Sequence, residues 1–124
     1  MNALYEVVAL HPATQLPADI QGTILQIATD RWLILDRRPA LPAGFAVTDV
    51  TGKWREIRLT GASAARLLAN TVDVEALLAG RACARTALFD CPAILARLDP
   101  GYSVWVERSY EHAFNVAAEQ AAAL

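Results

Sequence analysis

Cysteine, long apolar runs and clustered charge are all scarce in this 124-residue sequence. Its two cysteines, Cys83 and Cys91, are too few for a disulfide framework, and their spacing matches no zinc pattern. We read both as reduced, structural thiols at buried or half-buried strand positions. No window reaches the roughly 18 apolar residues that a membrane-spanning helix needs. The opening Met1-Asn2-Ala3-Leu4-Tyr5-Glu6 lacks the basic-then-apolar order of a secretory leader. The expectation is a soluble, cytoplasmic chain. Eleven basic residues are scattered among thirteen acidic ones, for a net charge of −2. That leaves no electrostatic footprint for nucleic acid and no polybasic patch for a membrane surface. The six glycines never form G-x-G-x-x-G or a Walker loop, so no dinucleotide or phosphate cradle is visible.

What is present is an apolar content of 55%, much of it alanine, so a modest set of Leu, Ile, Val and aromatic residues must carry the core. The length suits one domain. We divide it into a hairpin-rich part, 1–47, and a strand–helix–strands–helix part, 48–124. Residues 4–10 form a first strand, stopped at His11-Pro12 because proline has no N–H to pair. Residues 12–21 read as a loop. Residues 22–28 alternate, Thr29-Asp30 turns, and residues 31–36 return, which predicts a hairpin with Trp32 in its core. Residues 37–47, with Pro39, Pro42 and Gly44, connect to a central stretch at 48–68. They do not read as an interdomain linker, because neither side looks able to close a core alone.

In that central stretch Gly52 marks a turn and residues 53–60 a strand. Arg55, Ile57 and Leu59 face one way; Trp54, Glu56, Arg58 and Thr60 face the other, with a Glu56–Arg58 pair. Gly61 allows a sharp passage into a helix whose stripe is Ala64, Leu67, Leu68 and Thr71. Residues 72–78 form a short helical turn stopped at Gly80. Residues 81–89 are a strand, Asp90-Cys91-Pro92 the turn, and residues 93–98 pair back. Asp99-Pro100-Gly101 turns again. Tyr102, Val104 and Val106 then face the core, with Ser103, Trp105 and Glu107 opposite. The last helix begins at Ser109 as N-cap, with Glu111 in its first turn and an inner stripe of Tyr110, Phe114, Ala117, Ala121 and Leu124. The fold class is α+β, a mostly antiparallel sheet with two helices on one face.

Chemistry is thinly marked. His11 and His112 are isolated and read as solvated. Ser63, Ser103 and Ser109 lack a nucleophile-elbow context. Asp30, Asp49, Asp73 and Asp90 sit at turns and element starts, where carboxylates hold backbone N–H groups more often than they move protons. Trp54 and Trp105 share the half-polar side of the sheet with Arg58. Two readings stand: a loop or the N-terminal strands cover them, or they form a partner surface, where Trp and Arg are enriched as anchors.

Asp49-Val50-Thr51, then a strand, then Leu59-Thr60-Gly61-x-x-Ala64 and Leu67-Leu68, resembles the segment shared by glycine-cleavage T-protein-like domains. Ala28-Thr29-Asp30-Arg31-Trp32-Leu33-Ile34-Leu35, Ala82-Cys83-Ala84-Arg85-Thr86 through Pro92, and Val106-Glu107-Arg108-Ser109-Tyr110 are similar to segments of the gamma subunit of heterotetrameric sarcosine oxidase. The likeness runs over residues 20–120. It implies a non-catalytic accessory subunit without a cofactor of its own, in a complex that demethylates sarcosine oxidatively to glycine. Larger alpha and beta subunits and a small delta subunit would be its partners, and FAD, FMN, NAD and tetrahydrofolate would sit on them. The small subunit of N-methylglutamate dehydrogenase and a stand-alone folate-binding T-protein-like domain are the alternatives, and a self-associating domain is a third. The resemblance implies no catalytic, cofactor-binding or metal residue in this chain; the residues offered for an interface are Trp54, Arg58 and Trp105.

Overall fold

The computed structural model describes residues 3–12 and 14–122. The fold is α+β, with two four-stranded antiparallel sheets and three α-helices among the described residues. The chain divides into two compact units, Met1–Gly52 and Lys53–Leu124.

The first unit is one sheet in the order β2-β3-β1-β4, from β1 (Leu4–Ala9), β2 (Thr23–Ala28), β3 (Arg31–Leu35) and β4 (Phe45–Asp49). The predicted hairpin is β2–β3, in register Leu25↔Leu33, with a bulge between Gln26 and Ala28. Alternation sends Val7, Trp32 and Ile34 to one face, where they cluster with Ala9. Leu16, Ile20 and Leu41 from the flanking loops close over that cluster, together with Ile24, Phe45 and Val47 of the sheet. This unit therefore has an apolar cluster of its own, contrary to the expectation that the N-terminal part could not close one. Residues 45–49, which by sequence read as the end of a connector and the start of a turn, form strand β4. Phe45 and Val47 nevertheless pair with Ala9 and Val7 of β1. The break between units accordingly falls at Gly52 and not at residue 47.

The second unit holds the sheet β5-β8-β7-β6, from β5 (Trp54–Leu59), β6 (Cys83–Leu88), β7 (Cys91–Leu98) and β8 (Gly101–Glu107). The helices are α1 (Ala62–Ala69), α2 (Val74–Leu78) and α3 (Glu111–Ala122). Gly61 precedes α1 with φ 81, a left-handed value that suits glycine at this strand-to-helix corner. Asp73 caps α2 by accepting from the Ala76 N–H at 3.2 Å, and Ala79 and Gly80 end it with positive φ. One face of the sheet carries Leu88, Ala93, Leu95, Val104 and Val106, against which Leu68 of α1 and Phe114 of α3 pack. Ile57, Leu59 and Ala118 extend that core. The expected placement of helices on one sheet face holds for this unit.

Three local expectations are corrected here. The turn between β6 and β7 is Phe89-Asp90, with Leu88 opposite Cys91, so Cys91 and Pro92 lie in the strand. Both turn residues have positive φ, 49 and 63, as a two-residue hairpin of the primed type requires. The Phe89 N–H donates to Thr71 Oγ1 at 2.8 Å and its ring meets Phe114 edge-on at 5.6 Å, which holds an aromatic residue in a conformation it otherwise avoids. Second, Arg108–Tyr110 is a 3-10 turn without a side-chain cap, so Ser109 is not an N-cap. Third, Tyr110 is 39% exposed, and the helix is anchored through Phe114 instead. Leu124, assigned to the same stripe, lies outside the described residues.

Candidate functional site

The half-polar sheet face is assembled by pairing alone. Trp54 lies opposite Glu107, Glu56 opposite Trp105, and Arg58 opposite Ser103. Opposed residues of an antiparallel pair point to the same side, so all six share one face of β5 and β8. Ile94 and Ala96 of β7 continue it, opposite Trp105 and Ser103.

Ser103 is the polar centre of this face. It is fully buried, donates to Glu56 Oε2 at 2.6 Å and accepts from Arg58 Nη1 at 3.0 Å. Arg58 Nη2 also reaches the Leu98 carbonyl. The expected Glu56–Arg58 pairing is thus a relay through the Ser103 hydroxyl, which donates and accepts at once. The Ser103 hydroxyl is fully buried and both of its hydrogen-bond partners are on β5, so the arrangement ties β5 to β8.

Trp54 and Trp105 are 5% and 3% exposed, whereas Arg58 is exposed. Arg58 is therefore the member of the three that reaches solvent. Lys53 Nζ lies 5.6 Å from the centre of the Trp54 ring, a cation–π distance. The Trp54 Nε1–H is buried without an acceptor among the described residues.

The remaining candidates have structural duties. Asp49 Oδ1 accepts from the Thr51 hydroxyl at 2.6 Å and the Thr51 N–H at 3.0 Å, and these bonds hold its carboxyl below the ordinary range. Thr51 Oγ1 in turn accepts from the Leu4 N–H at 3.0 Å. Asp30 and Asp90 occupy hairpin turns, and His11 and His112 are exposed. Cys83 and Cys91 are buried, and burial pushes both thiols up from their ordinary value. No group of three or more His, Cys, Asp or Glu suited to a metal ion occurs among the described residues. No helix among them is long and apolar enough to cross a membrane.

Sequence reasoning did not find two clefts. One, of about 420 Å³, is bordered by Ala65 and Ala69 of α1, Val74 and Glu75 of α2, and Tyr102. Arg97 spans its edge, paired with Glu75 and set 5.8 Å from the Tyr102 ring centre. The other lies in the first unit, between residues 14–18 and the sheet. The polar side chains that line it are too scattered in sequence to form a motif.

No protein-family model matches the chain, and no curated protein matches it. Among solved structures, it is similar to a chain of the heterotetrameric sarcosine oxidase from Corynebacterium sp. U-96, solved in complex with pyrrole 2-carboxylate. The TM-score is 0.77 at 17% sequence identity, over 98% of this chain and 80% of the other. At that identity the likeness establishes a common fold.

Proposed function

We propose that this chain is a non-catalytic, gamma-type subunit of a heterotetrameric sarcosine oxidase complex. The observation that carries the reading is the shared fold over 98% of the chain with a component of such an assembly. The sequence segments that resemble the gamma subunit point the same way. In this reading larger alpha and beta subunits and a small delta subunit hold FAD, FMN, NAD and tetrahydrofolate, and the chain contributes structure to a cytoplasmic complex. Its polar residues favour that role, because the carboxylates at residues 49 and 73 and the Ser103 hydroxyl are engaged in turns, caps and strand clamping. The docking surface then centres on exposed Arg58 of edge strand β5, with Trp54 and Trp105 as its buried backing.

Co-expression with alpha- and beta-type flavoprotein subunits from the same source, followed by size exclusion with mass measurement, tests this. A stable complex containing the chain is expected, and elution of the chain alone in their presence overturns the reading. Saturable, micromolar binding of tetrahydrofolate by the isolated chain would replace it with a folate-binding function. Oxidation of N-methylglutamate but not sarcosine by the assembled complex would keep the subunit role and change the substrate.

A further inference from the structure

We propose that the cleft between residues 14–18 and the sheet of the first unit is a binding site for a small, uncharged, planar ligand carrying an amide or lactam edge. The cleft has a volume of about 740 Å³, inside the range of small-molecule sites, on the order of 300–1,000 Å³. Leu16, Ile24 and Trp32 supply its apolar lining; Thr14, Gln26 and Thr29 supply hydroxyl and amide groups.

Three observations define the ligand class. First, no Asp, Glu, Lys or Arg is among the described residues that line the cleft. An ionised ligand would surrender water without gaining a counter-charge, a cost that a neutral one avoids. Second, every polar side chain there is a hydroxyl or a primary amide, groups that both donate and accept. A ligand edge presenting a carbonyl beside an N–H matches that mixture. Third, the Trp32 indole is braced by Phe45, with ring centres 6.3 Å apart and planes at 61°. Trp32 is only 6% exposed, so it offers the cleft a narrow, rigid strip of aromatic surface, which suits the edge of a flat ring.

The chain is shaped locally to make this lining. The bulge in β2 falls just after Gln26, which pairs with Trp32, and pairing resumes at Ala28 opposite Arg31. Bulges re-aim side chains, and here Gln26 and Thr29, three residues apart, line the same cleft. The Gln26 Nε2 group donates to the Thr29 carbonyl at 3.3 Å, which sets the amide against the turn. Both residues are exposed, so neither supports the core.

The test is titration of the ¹⁵N-labelled full chain with benzamide and 2-pyridone as neutral probes, and with benzoate and benzylamine as charged ones. Expected are saturable shifts at the Gln26 side-chain amide, the Thr29 N–H and the Trp32 indole N–H with the neutral probes. Binding of the charged probes should be weaker by about ten-fold or more, equivalent to 1.4 kcal/mol. Gln26→Leu and Thr29→Val should each weaken the neutral probes several-fold while leaving the rest of the spectrum in place. Equal response to charged probes, shifts confined to other parts of the chain, unchanged affinity in both variants, or no saturation at millimolar probe overturns the site. Saturation by a neutral extended peptide but by neither small probe would overturn it too, by placing a protein segment in the cleft.

Discussion

The Ser103 hydroxyl donates to Glu56 Oε2 across a strand pair, at 2.6 Å, from a fully buried position on β8 to an exposed carboxylate on β5. With the bond from Arg58 it ties an edge strand to the strand beside it. Edge strands lack a second partner, so such side-chain ties matter most there.

Ser103→Ala should therefore lower stability by about 1–2 kcal/mol, the cost of a lost hydrogen-bonding centre whose partners can still reach water. Urea denaturation measures it. Glu56→Gln and Arg58→Gln made in the Ser103→Ala background should cost less than in the wild type, because the relay is already broken.

Gly101→Ala should be among the most damaging single-methyl additions. An added Cβ would run into the Leu59 carbonyl oxygen, a backbone atom that cannot swing aside. A loss of about 2–3 kcal/mol is expected, the upper part of the range for overpacking. Gly52→Ala is the control: nothing lies within 4 Å of its added Cβ, and the change should stay within about 0.5 kcal/mol. Thermal unfolding of the two variants side by side decides.

Asp90→Gly should stabilise the β6–β7 hairpin. Asp90 has φ 63, and a left-handed conformation costs an L-residue roughly 1 kcal/mol that glycine avoids. Part of that gain is returned as unfolded-chain entropy, so the net should be a few tenths of a kcal/mol, seen as a small rise in Tm. Phe89→Gly in the same turn should do the opposite, because it removes the ring that packs on Phe114.

The thiols predict a pH effect of definite sign. Burial raises the pKa of Cys83 and Cys91 in the folded chain, so folding favours the protonated form. Their contribution is complete below the unfolded thiol value, near 8.5, and is lost as pH rises through the folded values. DTNB should label neither thiol quickly at pH 8 in the native chain, and both at once in denaturant. Rapid native labelling would show that burial does not protect them.

Much of this protein was legible residue by residue. The β2–β3 hairpin, the Gly61 corner, the turns and cap at Asp30, Asp49 and Asp73, and the two faces of β5 and β8 follow from local rules of alternation and turn chemistry. What those rules cannot say is which strands gather into which sheet. Residues 45–49 become β4 because β1 offers a pairing edge, though their own composition reads as a connector. The Phe89-Asp90 turn is equally invisible locally, since Thr71 and Phe114, distant in sequence, hold its positive φ values in place. Alternation placed Trp54, Arg58 and Trp105 on one face; only the tertiary structure decided that the two indoles are interior and Arg58 is not. The physical reason is that strand period assigns a side chain to a face, whereas burial depends on what non-local pairing and packing bring over that face.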